Sequence, residues 1–232
     1  ITANILAKKD AETGKYLIDE ILDKTQQKGT GKWTAQNALD LGVPVPTLSD
    51  SVFTRIIASY KEERVAASKL YDKEINTQSQ LTMQDLENAL YVAKLIGYAQ
   101  GFSLLYHAST EYGWNLNLRE VASIWRSGCI IRAKLLDDIV QIFENEPKVF
   151  NLLATQKIST IITRLEKHLR TVVTSAIVSK IPVQSLSSSI AYLDSYTSAN
   201  LPANLVQAQR DFFGAHGYEK TGETGKFHAK WE

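Results

Sequence analysis

The chain has 232 residues, which is enough for one large domain or two small ones with a substantial core. Its formal net charge is +1, so the overall charge gives no reason to expect nucleic acid or an anionic membrane as a partner. The single cysteine, Cys129, excludes an internal disulfide and indicates a reducing compartment, so we expect a cytoplasmic location. No stretch is typical of a signal peptide or a membrane span, and we expect no contact with a membrane.

Apolar residues recur at helical spacing along the whole chain, and no stretch shows the alternation typical of a β-strand. The predicted helices cover residues 15–27, 34–41, 49–70, 83–112, 117–126, 130–144, 148–155, 159–179 and 187–196, and a last helix opened by Pro202. The residues from Phe213 onward are glycine-rich and polar. We therefore predict an all-α fold, with a large helical domain over residues 1–212 and a C-terminal tail over residues 213–232.

The longest predicted helix, residues 83–112, is the element around which we expect the domain to pack. It begins with a capping-box pattern, because Thr82 is followed three residues later by Asp85. Apolar residues occupy both faces of its middle, which is typical of a core helix or a membrane span. Lys94 and Gln100 interrupt the run, so no uncharged apolar stretch of about 18 residues remains, and a core helix is favoured.

A short pattern occurs twice in the sequence at an offset of 138 residues. The first copy runs from Ala38 to Val52, and the second runs from Ala176 to Ile190. Each copy combines a helix, an apolar-Pro-apolar turn and the serine-containing start of another helix. We interpret the pattern as a duplicated helical unit, and a chance likeness between two capped turns is the alternative. A period of this length does not indicate a solenoid.

A lysine- and glycine-rich stretch has the composition of an anion-binding turn. Two glycines, one hydroxyl and two lysines precede a predicted helix in Lys28-Gly29-Thr30-Gly31-Lys32. The start of a helix attracts anions through its free N–H groups, and lysine adds positive charge. The stretch matches neither a Walker loop nor a dinucleotide fingerprint, because the glycine spacing differs and no strand precedes it. The alternative is an ordinary solvated turn between two helices.

Three further polar residues are candidates, and each has a structural alternative. Arg55 lies in a predicted helix beside inward-pointing apolar residues, where an ordinary surface arginine is the alternative. Arg210 and His216 flank an aromatic turn that suits either packing or a binding loop. We interpret Cys129 as a buried, inert thiol and His168 as part of a solvated face. Because the histidines and the cysteine lack metal-ligand spacing, we predict no metal site.

Four longer motifs resemble one known family. They are Gln27-Lys28-Gly29-Thr30-Gly31-Lys32-Trp33-Thr34, Tyr98-Ala99-Gln100-Gly101-Phe102, Trp125-Arg126-Ser127-Gly128-Cys129-Ile130-Ile131-Arg132 and Leu201-Pro202-Ala203-Asn204-Leu205-Val206-Gln207-Ala208-Gln209-Arg210-Asp211-Phe212-Phe213-Gly214-Ala215-His216. In this order they resemble the C-terminal region of the decarboxylating 6-phosphogluconate dehydrogenases, and the likeness extends over essentially the whole chain. That family combines an N-terminal Rossmann domain, an all-α domain with a duplicated helical unit, and a tail that crosses into the partner of a homodimer.

The resemblance implies an oxidoreductase of the pentose phosphate pathway. Enzymes of this family oxidise 6-phosphogluconate with NADP and decarboxylate the product to ribulose 5-phosphate. The resemblance places Lys28, Thr30 and Arg55 on the substrate phosphate, and it delivers Arg210 and His216 to the site of the neighbouring subunit. These donors suit a phosphate group that carries about −1.5 to −2 charges near neutral pH.

The resemblance also implies that these 232 residues hold only part of the enzyme. The family's cofactor fingerprint and its catalytic lysine and glutamate would precede Ile1, so we expect no catalytic or NADP-binding residue in this chain. Because the sequence starts with isoleucine instead of methionine, we expect a fragment that is inactive by itself. The alternative function is a non-catalytic helical dimerisation module with a residual anion site.

Overall fold

The computed structural model describes residues 1–25, 28–71 and 80–231. Its helices, α1 to α11 in chain order, are Thr2–Ala7, Leu17–Glu20, Thr30–Asp40, Pro46–Ser59, Lys61–Ser68, Met83–Glu111, Leu118–Ile124, Leu135–Asn145, Gln156–Val178, Gln184–Thr197 and Ala203–Gly214, with a 3₁₀ turn at Leu152–Ala154. In these residues, β-pairing is confined to two isolated bridges, Lys9 with Tyr16 and Tyr218 with Phe227. The prediction of an all-α fold is confirmed.

Two compact units make up the chain, Ile1–Ile190 and Ala191–Glu232. The first unit contains α1 to α9 and the first turns of α10. The second contains the end of α10, α11 and the residues that follow. The boundary that the sequence suggests between residues 212 and 213 stays a prediction.

The central helix α6 begins and packs as the sequence predicts. The hydroxyl of Thr82 accepts the N–H of Asp85 at 3.1 Å, and the Asp85 carboxylate accepts the N–H of Thr82 at 2.9 Å, which completes the capping box. From Val92 to Ser103, all residues except Lys94 and two glycines are buried. Helix α9 packs along α6. In the described ranges, no helix is long and apolar enough to cross a membrane.

The predicted helix over residues 15–27 is wrong beyond α2. The chain after α2 is extended, and two of its polar side chains bond to other helices. Asp23 forms an ion pair with Arg64 of α5 at 3.1 Å, and the Thr25 hydroxyl donates to the carbonyl of Arg55 in α4 at 3.0 Å. A helix would direct these two side chains to different sides, so the tertiary contacts override the helical pattern. The last two residues of the predicted helix lie outside the described residues.

Other predicted helices also have shifted bounds, and α3, α9 and α10 begin three or four residues before their predicted starts. The helix predicted over residues 49–70 is divided into α4 and α5, because Tyr60 leaves helical geometry with φ −86° and ψ 48°. The helix predicted over residues 130–144 starts only at α8. The carbonyl of Ile131 accepts a hydrogen bond from the Tyr98 hydroxyl of α6, and the chain before it turns at Gly128 with a φ of 69°. Residues 148–155 contain only the 3₁₀ turn.

The duplicated unit is confirmed by the backbone. Helices α3 and α9 end at positions 138 residues apart, and α4 and α10 begin and end at the same offset. The connecting turns share one hydrogen bond, from Val43 N–H to the Ala38 carbonyl in the first copy and from Ile181 N–H to the Ala176 carbonyl in the second, each at 2.8 Å. Each turn also has a left-handed residue at the same place, with a φ of 64° in the first copy and 57° in the second.

Gln100 of α6 joins the two copies inside the first unit. Its side-chain oxygen accepts the N–H of Thr47 at 3.0 Å, and its amide nitrogen donates to the Thr47 hydroxyl at 2.9 Å. The same hydroxyl lies 3.0 Å from the hydroxyl of Ser189 in the second copy. Gln100 is fully buried, and an unbonded amide there would be destabilising, so these bonds fix both copies on the central helix.

A small apolar cluster holds the α3–α4 pair against the central helix. The cluster contains Ala38, Val43 and Val45, which are buried, and the partly buried residues Leu41, Leu48 and Leu104. Because Leu104 belongs to α6, the turn between α3 and α4 is fixed on a rigid support. This packing fixes the orientation of α3 relative to α6 and therefore the position of its N-terminal end.

Candidate functional site

The lysine- and glycine-rich stretch forms the N-terminal end of α3. Gly29 precedes the helix with a φ of 100°, a left-handed conformation that favours glycine, and its carbonyl accepts the N–H of Trp33 at 2.9 Å. Lys28 and Thr30 on either side of it are exposed. No side chain of the described residues caps this helix end. The first N–H groups of α3 are therefore of the kind that attract an anion.

A residue of this turn and a residue that precedes it both contact helix α4. A β-carbon on Gly31 would lie only 2.7 Å from Cγ2 of Val52, so α3 and α4 approach each other through this glycine. On the other side, the hydroxyl of Thr25 bonds to the carbonyl of Arg55. Arg55 lies three residues after Val52, on the same face of α4. The structure thus brings Lys28, Thr30 and Arg55 to one end of the α3–α4 pair.

Arg210 and His216 lie close together in the second unit. Arg210 belongs to α11, and its guanidinium donates to the side-chain oxygen of Gln207 at 3.3 Å. The Nδ1 atom of His216 lies 2.9 Å from the carbonyl oxygen of Arg210. A carbonyl only accepts, so Nδ1 carries a proton. Nε2 is the ring atom left for a ligand, and it donates to an anion when the ring is an imidazolium with a proton on both nitrogens. Both side chains are exposed.

Glycine at position 214 is required by the ring of His216. A β-carbon on Gly214 would lie 2.6 Å from Cε1 and 2.8 Å from Nδ1 of that ring, which is closer than real contacts allow. The next residue, Ala215, takes the left-handed conformation with a φ of 50° and ends α11. The imidazole therefore lies directly against the backbone at the end of the helix.

Asp211 is a buried carboxylate in the same unit, and the sequence alone does not reveal its role. It accepts hydrogen bonds from the N–H groups of Gly217 and Ala229, from Nδ1 of His228 and from the indole of Trp231. Burial by itself would raise the pKa of Asp211, but these hydrogen bonds outweigh it and hold the pKa well below its ordinary value. An acidic residue between an arginine and two phenylalanines is the signal that could have suggested a buried anchor.

Two interpretations of single residues are wrong. His168 is not on a solvated face, because its Nδ1 lies 2.7 Å from Oδ1 of Asp85 and its side chain is only 19% exposed. Hydrogen bonds from Thr82 and then from His168 lower the pKa of Asp85 to about 2. Cys129 is half-buried and not fully buried as predicted. The apolar neighbours that suggested burial are themselves exposed, with Ile130 at 90%.

The fold and these clusters define a class of protein: an internally duplicated all-α domain built on a buried central helix, with exposed cationic side chains at a glycine-opened helix start and at the end of α11. The sequence model of the family described as "6-phosphogluconate dehydrogenase, C-terminal domain" matches residues 1–231. The chain belongs to this family.

Characterised relatives and a solved structure agree with this assignment. The chain is 49% identical over 235 residues to the NADP(+)-dependent, decarboxylating 6-phosphogluconate dehydrogenase of Bacillus subtilis strain 168, covering 100% of this chain and 50% of that protein. It is 47% identical over 237 residues to the decarboxylating enzyme of Escherichia coli K12, with the same coverage of 100% and 50%. The chain spans about half the length of the curated relatives that it matches.

The structural comparison gives the same picture. Plasmodium falciparum 6-phosphogluconate dehydrogenase, studied in its apo form and in complexes with NADP+ and with 6-phosphogluconate, superposes with a TM-score of 0.94 at 45% identity. The match covers 99% of this chain and 50% of that one. At this identity the likeness supports the family as well as the fold.

The turn at the start of α3 does not fit a dinucleotide. A dinucleotide fingerprint needs a strand before the glycines and a third glycine at a fixed spacing. The sequence has no third glycine at that spacing, and the described residues before the turn form no strand. These residues would therefore not hold NADP.

Proposed function

We propose that this chain is the substrate-binding and dimer-forming portion of an NADP-dependent, decarboxylating 6-phosphogluconate dehydrogenase. The reaction would be the oxidative decarboxylation of 6-phosphogluconate to ribulose 5-phosphate, in the cytoplasm. The observation that carries the proposal is the start of α3, where Gly31, next to the exposed Thr30, packs against Val52 of α4, three residues before Arg55. The identity with enzymes of this activity along the whole chain supports it.

The chemistry of the proposed site suits a phosphate monoester. The N–H groups of α3 and the Thr30 hydroxyl are neutral donors, while Lys28 is a compact charge and Arg55 offers a planar pair of donors. Hydrogen bonds to charged groups contribute about 1.5–3 kcal/mol each. We assign no catalytic residue to this chain, because the family resemblance places the catalytic lysine and glutamate in another part of the enzyme.

The proposed enzyme is a homodimer in which each copy completes the other's site. Arg210 and His216 would come from the second copy and meet the phosphate held by Lys28, Thr30 and Arg55 of the first. The hydrogen bond between the His216 ring and the Arg210 backbone carbonyl favours this, because it keeps the two exposed residues close to each other.

Calorimetry with 6-phosphogluconate tests the proposed phosphate site. Lys28→Ala, Arg55→Ala and Arg210→Ala should each weaken binding by roughly tenfold to a hundredfold, the equivalent of one charge-assisted contact. Lys69→Ala removes an exposed lysine elsewhere on the surface and should bind like the wild type. If all three variants bind as the wild type does, the phosphate assignment is wrong.

A turnover assay tests whether this chain is inactive without the rest of the enzyme. The purified 232-residue chain, mixed with NADP and 6-phosphogluconate, should produce no NADPH above background, because the catalytic lysine and glutamate are assigned to another part of the enzyme. Robust turnover by the purified chain would show that this assignment is wrong, whatever the calorimetry gives.

A further inference from the structure

The buried carboxylate of Asp211 is linked to both members of the proposed phosphate-binding pair, Arg210 and His216. In the chain it follows Arg210 directly, and its side chain is fully buried. One of its four donors is the N–H of Gly217, the residue that follows His216. Asp211 therefore connects the segment that carries His216 to the helix that carries Arg210.

The four donors divide evenly between the two carboxylate oxygens. Oδ1 accepts the N–H of Gly217 and Nδ1 of His228, each at 2.9 Å. Oδ2 accepts the N–H of Ala229 at 3.1 Å and the indole N–H of Trp231 at 2.9 Å. Only an ionised carboxylate offers acceptors on both atoms, since an amide has one accepting oxygen and one donating nitrogen. The arrangement is thus specific for aspartate or another carboxylate.

Gly217 is held from its other side as well. Its carbonyl accepts the side-chain amide of Gln207 at 2.7 Å, and the oxygen of the same amide accepts the Arg210 guanidinium at 3.3 Å. The His216 ring lies between these bonds, with Gly214 beneath it and the Arg210 carbonyl on Nδ1. One connected set of hydrogen bonds therefore fixes both exposed donors.

We infer that Asp211 is a positioning residue for Arg210 and His216, which rests on the proposed function of that pair. It does not touch the phosphate. It holds Gly217, so that His216 keeps Nδ1 on the Arg210 carbonyl and presents Nε2 outward. A pair already ordered before binding loses less conformational freedom when the anion arrives, so the phosphate is bound more tightly.

The variant Asp211→Asn tests the inference on the intact chain, with inorganic phosphate as the ligand. The amide must leave one of the two donor pairs without an acceptor, although its size is unchanged. At a pH where the His216 ring is neutral, its ¹⁵N signals should move from a fixed Nδ1–H tautomer towards an average of the two tautomers. Phosphate affinity should fall about tenfold, the equivalent of roughly one hydrogen bond to a charged group. Glu219→Gln, the same chemical change at an exposed tail position, should alter neither quantity.

Amide exchange of the wild-type chain supplies a measurement that no folding defect can obscure. The N–H groups of Gly217 and Ala229 and the Trp231 indole should exchange more slowly than the amide of the nearby exposed residue Lys220. Equal exchange rates, or unchanged His216 signals in Asp211→Asn, would overturn the inference. A wild-type chain that binds neither phosphate nor 6-phosphogluconate would instead overturn the proposed function, so the two failures can be told apart.

Discussion

Three polar side chains inside the structure each join parts of the chain that are distant in sequence. Gln100 uses both atoms of its amide on Thr47, Asp85 accepts from His168 of α9, and Asp211 accepts four donors. Removing one partner of such a hydrogen bond destabilises the fold more than replacing both partners with apolar groups, because the remaining buried atom is left without a hydrogen bond. These residues therefore fix how neighbouring elements meet.

The pH dependence of stability should report the Asp85 carboxylate. Hydrogen bonds from Thr82 and His168 lower its pKa from 3.8 to about 2. Because the folded pKa is depressed, the ionised group stabilises the fold above about pH 4, and this contribution is lost as the pH falls towards 2. Urea unfolding should therefore show wild type and Asp85→Asn converging over this interval. The control is Glu87→Gln, an exposed carboxylate of the same helix. A stability gap that is the same at every pH would contradict the assignment.

At the scale of elements, the two copies of the helical unit form the same turn with different residues. Gly42 and Lys180 occupy equivalent positions, and both are left-handed. An L-residue in this conformation is destabilised by about 1–2 kcal/mol, whereas glycine is not. The second copy therefore contains backbone strain that the first one lacks.

Lys180→Gly should stabilise the protein by about 1 kcal/mol, because relief of strain exceeds the added freedom of glycine in the unfolded chain. The melting temperature should rise by roughly 2–4 °C for a chain of this size. Lys180→Ala keeps the strain and serves as the control for the lost side chain. Gly42→Ala should lower stability by a comparable amount, since a β-carbon there meets no atom within 4 Å and only the backbone is affected. A lower melting temperature for Lys180→Gly than for Lys180→Ala would contradict this account.

The α3–α4 contact should show strong coupling between Gly31 and Val52. In Gly31→Ala the new methyl group would lie 2.7 Å from Cγ2 of Val52 and force the helices apart, at a cost of about 1–3 kcal/mol. Phosphate affinity should fall with it, because the turn at Lys28 moves away from Arg55. Val52→Ala removes the clash, so the double variant should be more stable than the sum of the two single effects. If the two substitutions have additive effects on the free energy of unfolding, measured in urea, the contact between Gly31 and Val52 is not tight.

At the scale of the whole molecule, many large apolar side chains remain on the surface. Ile130 and Phe213 are each 90% exposed, Leu39 is 83% exposed and Val178 is 74% exposed. Contiguous apolar patches mark surfaces that associate with another chain, so these side chains are candidates for the contacts of the proposed homodimer.

Light scattering should find a dimer of the 25.9 kDa chain at micromolar concentration. Phe213→Ser replaces a side chain that is 90% exposed, so it should weaken the dimer with little effect on folding. Removal of residues 213–232 should weaken it further while the helices α1 to α9 of the first unit keep their circular dichroism, because the truncation removes donors only from Asp211 in the second unit. A wild-type chain that stays monomeric at these concentrations would contradict the proposal.

Local signals in the sequence were sufficient for much of the fold. The period of the apolar residues gave the helical class, the Thr82–Asp85 pair gave the start of α6, and the repeat at an offset of 138 residues gave the duplicated unit. The first two depend on residues within a few positions of one another, and each copy of the repeat is itself one short stretch. The family resemblance rested likewise on short uninterrupted motifs, and the family match over residues 1–231 confirms it.

Tertiary packing decided the rest. The segment after α2 is extended because Asp23 and Thr25 bond to α5 and α4. His168 meets Asp85 across 83 positions, and Asp211 takes its donors from six to twenty residues further along the chain. Helical periodicity assigns a face to a residue but not the partner that the face will meet. That partner is set by the packing of whole helices, which is why the candidate residues could be named from the sequence while their arrangement could not.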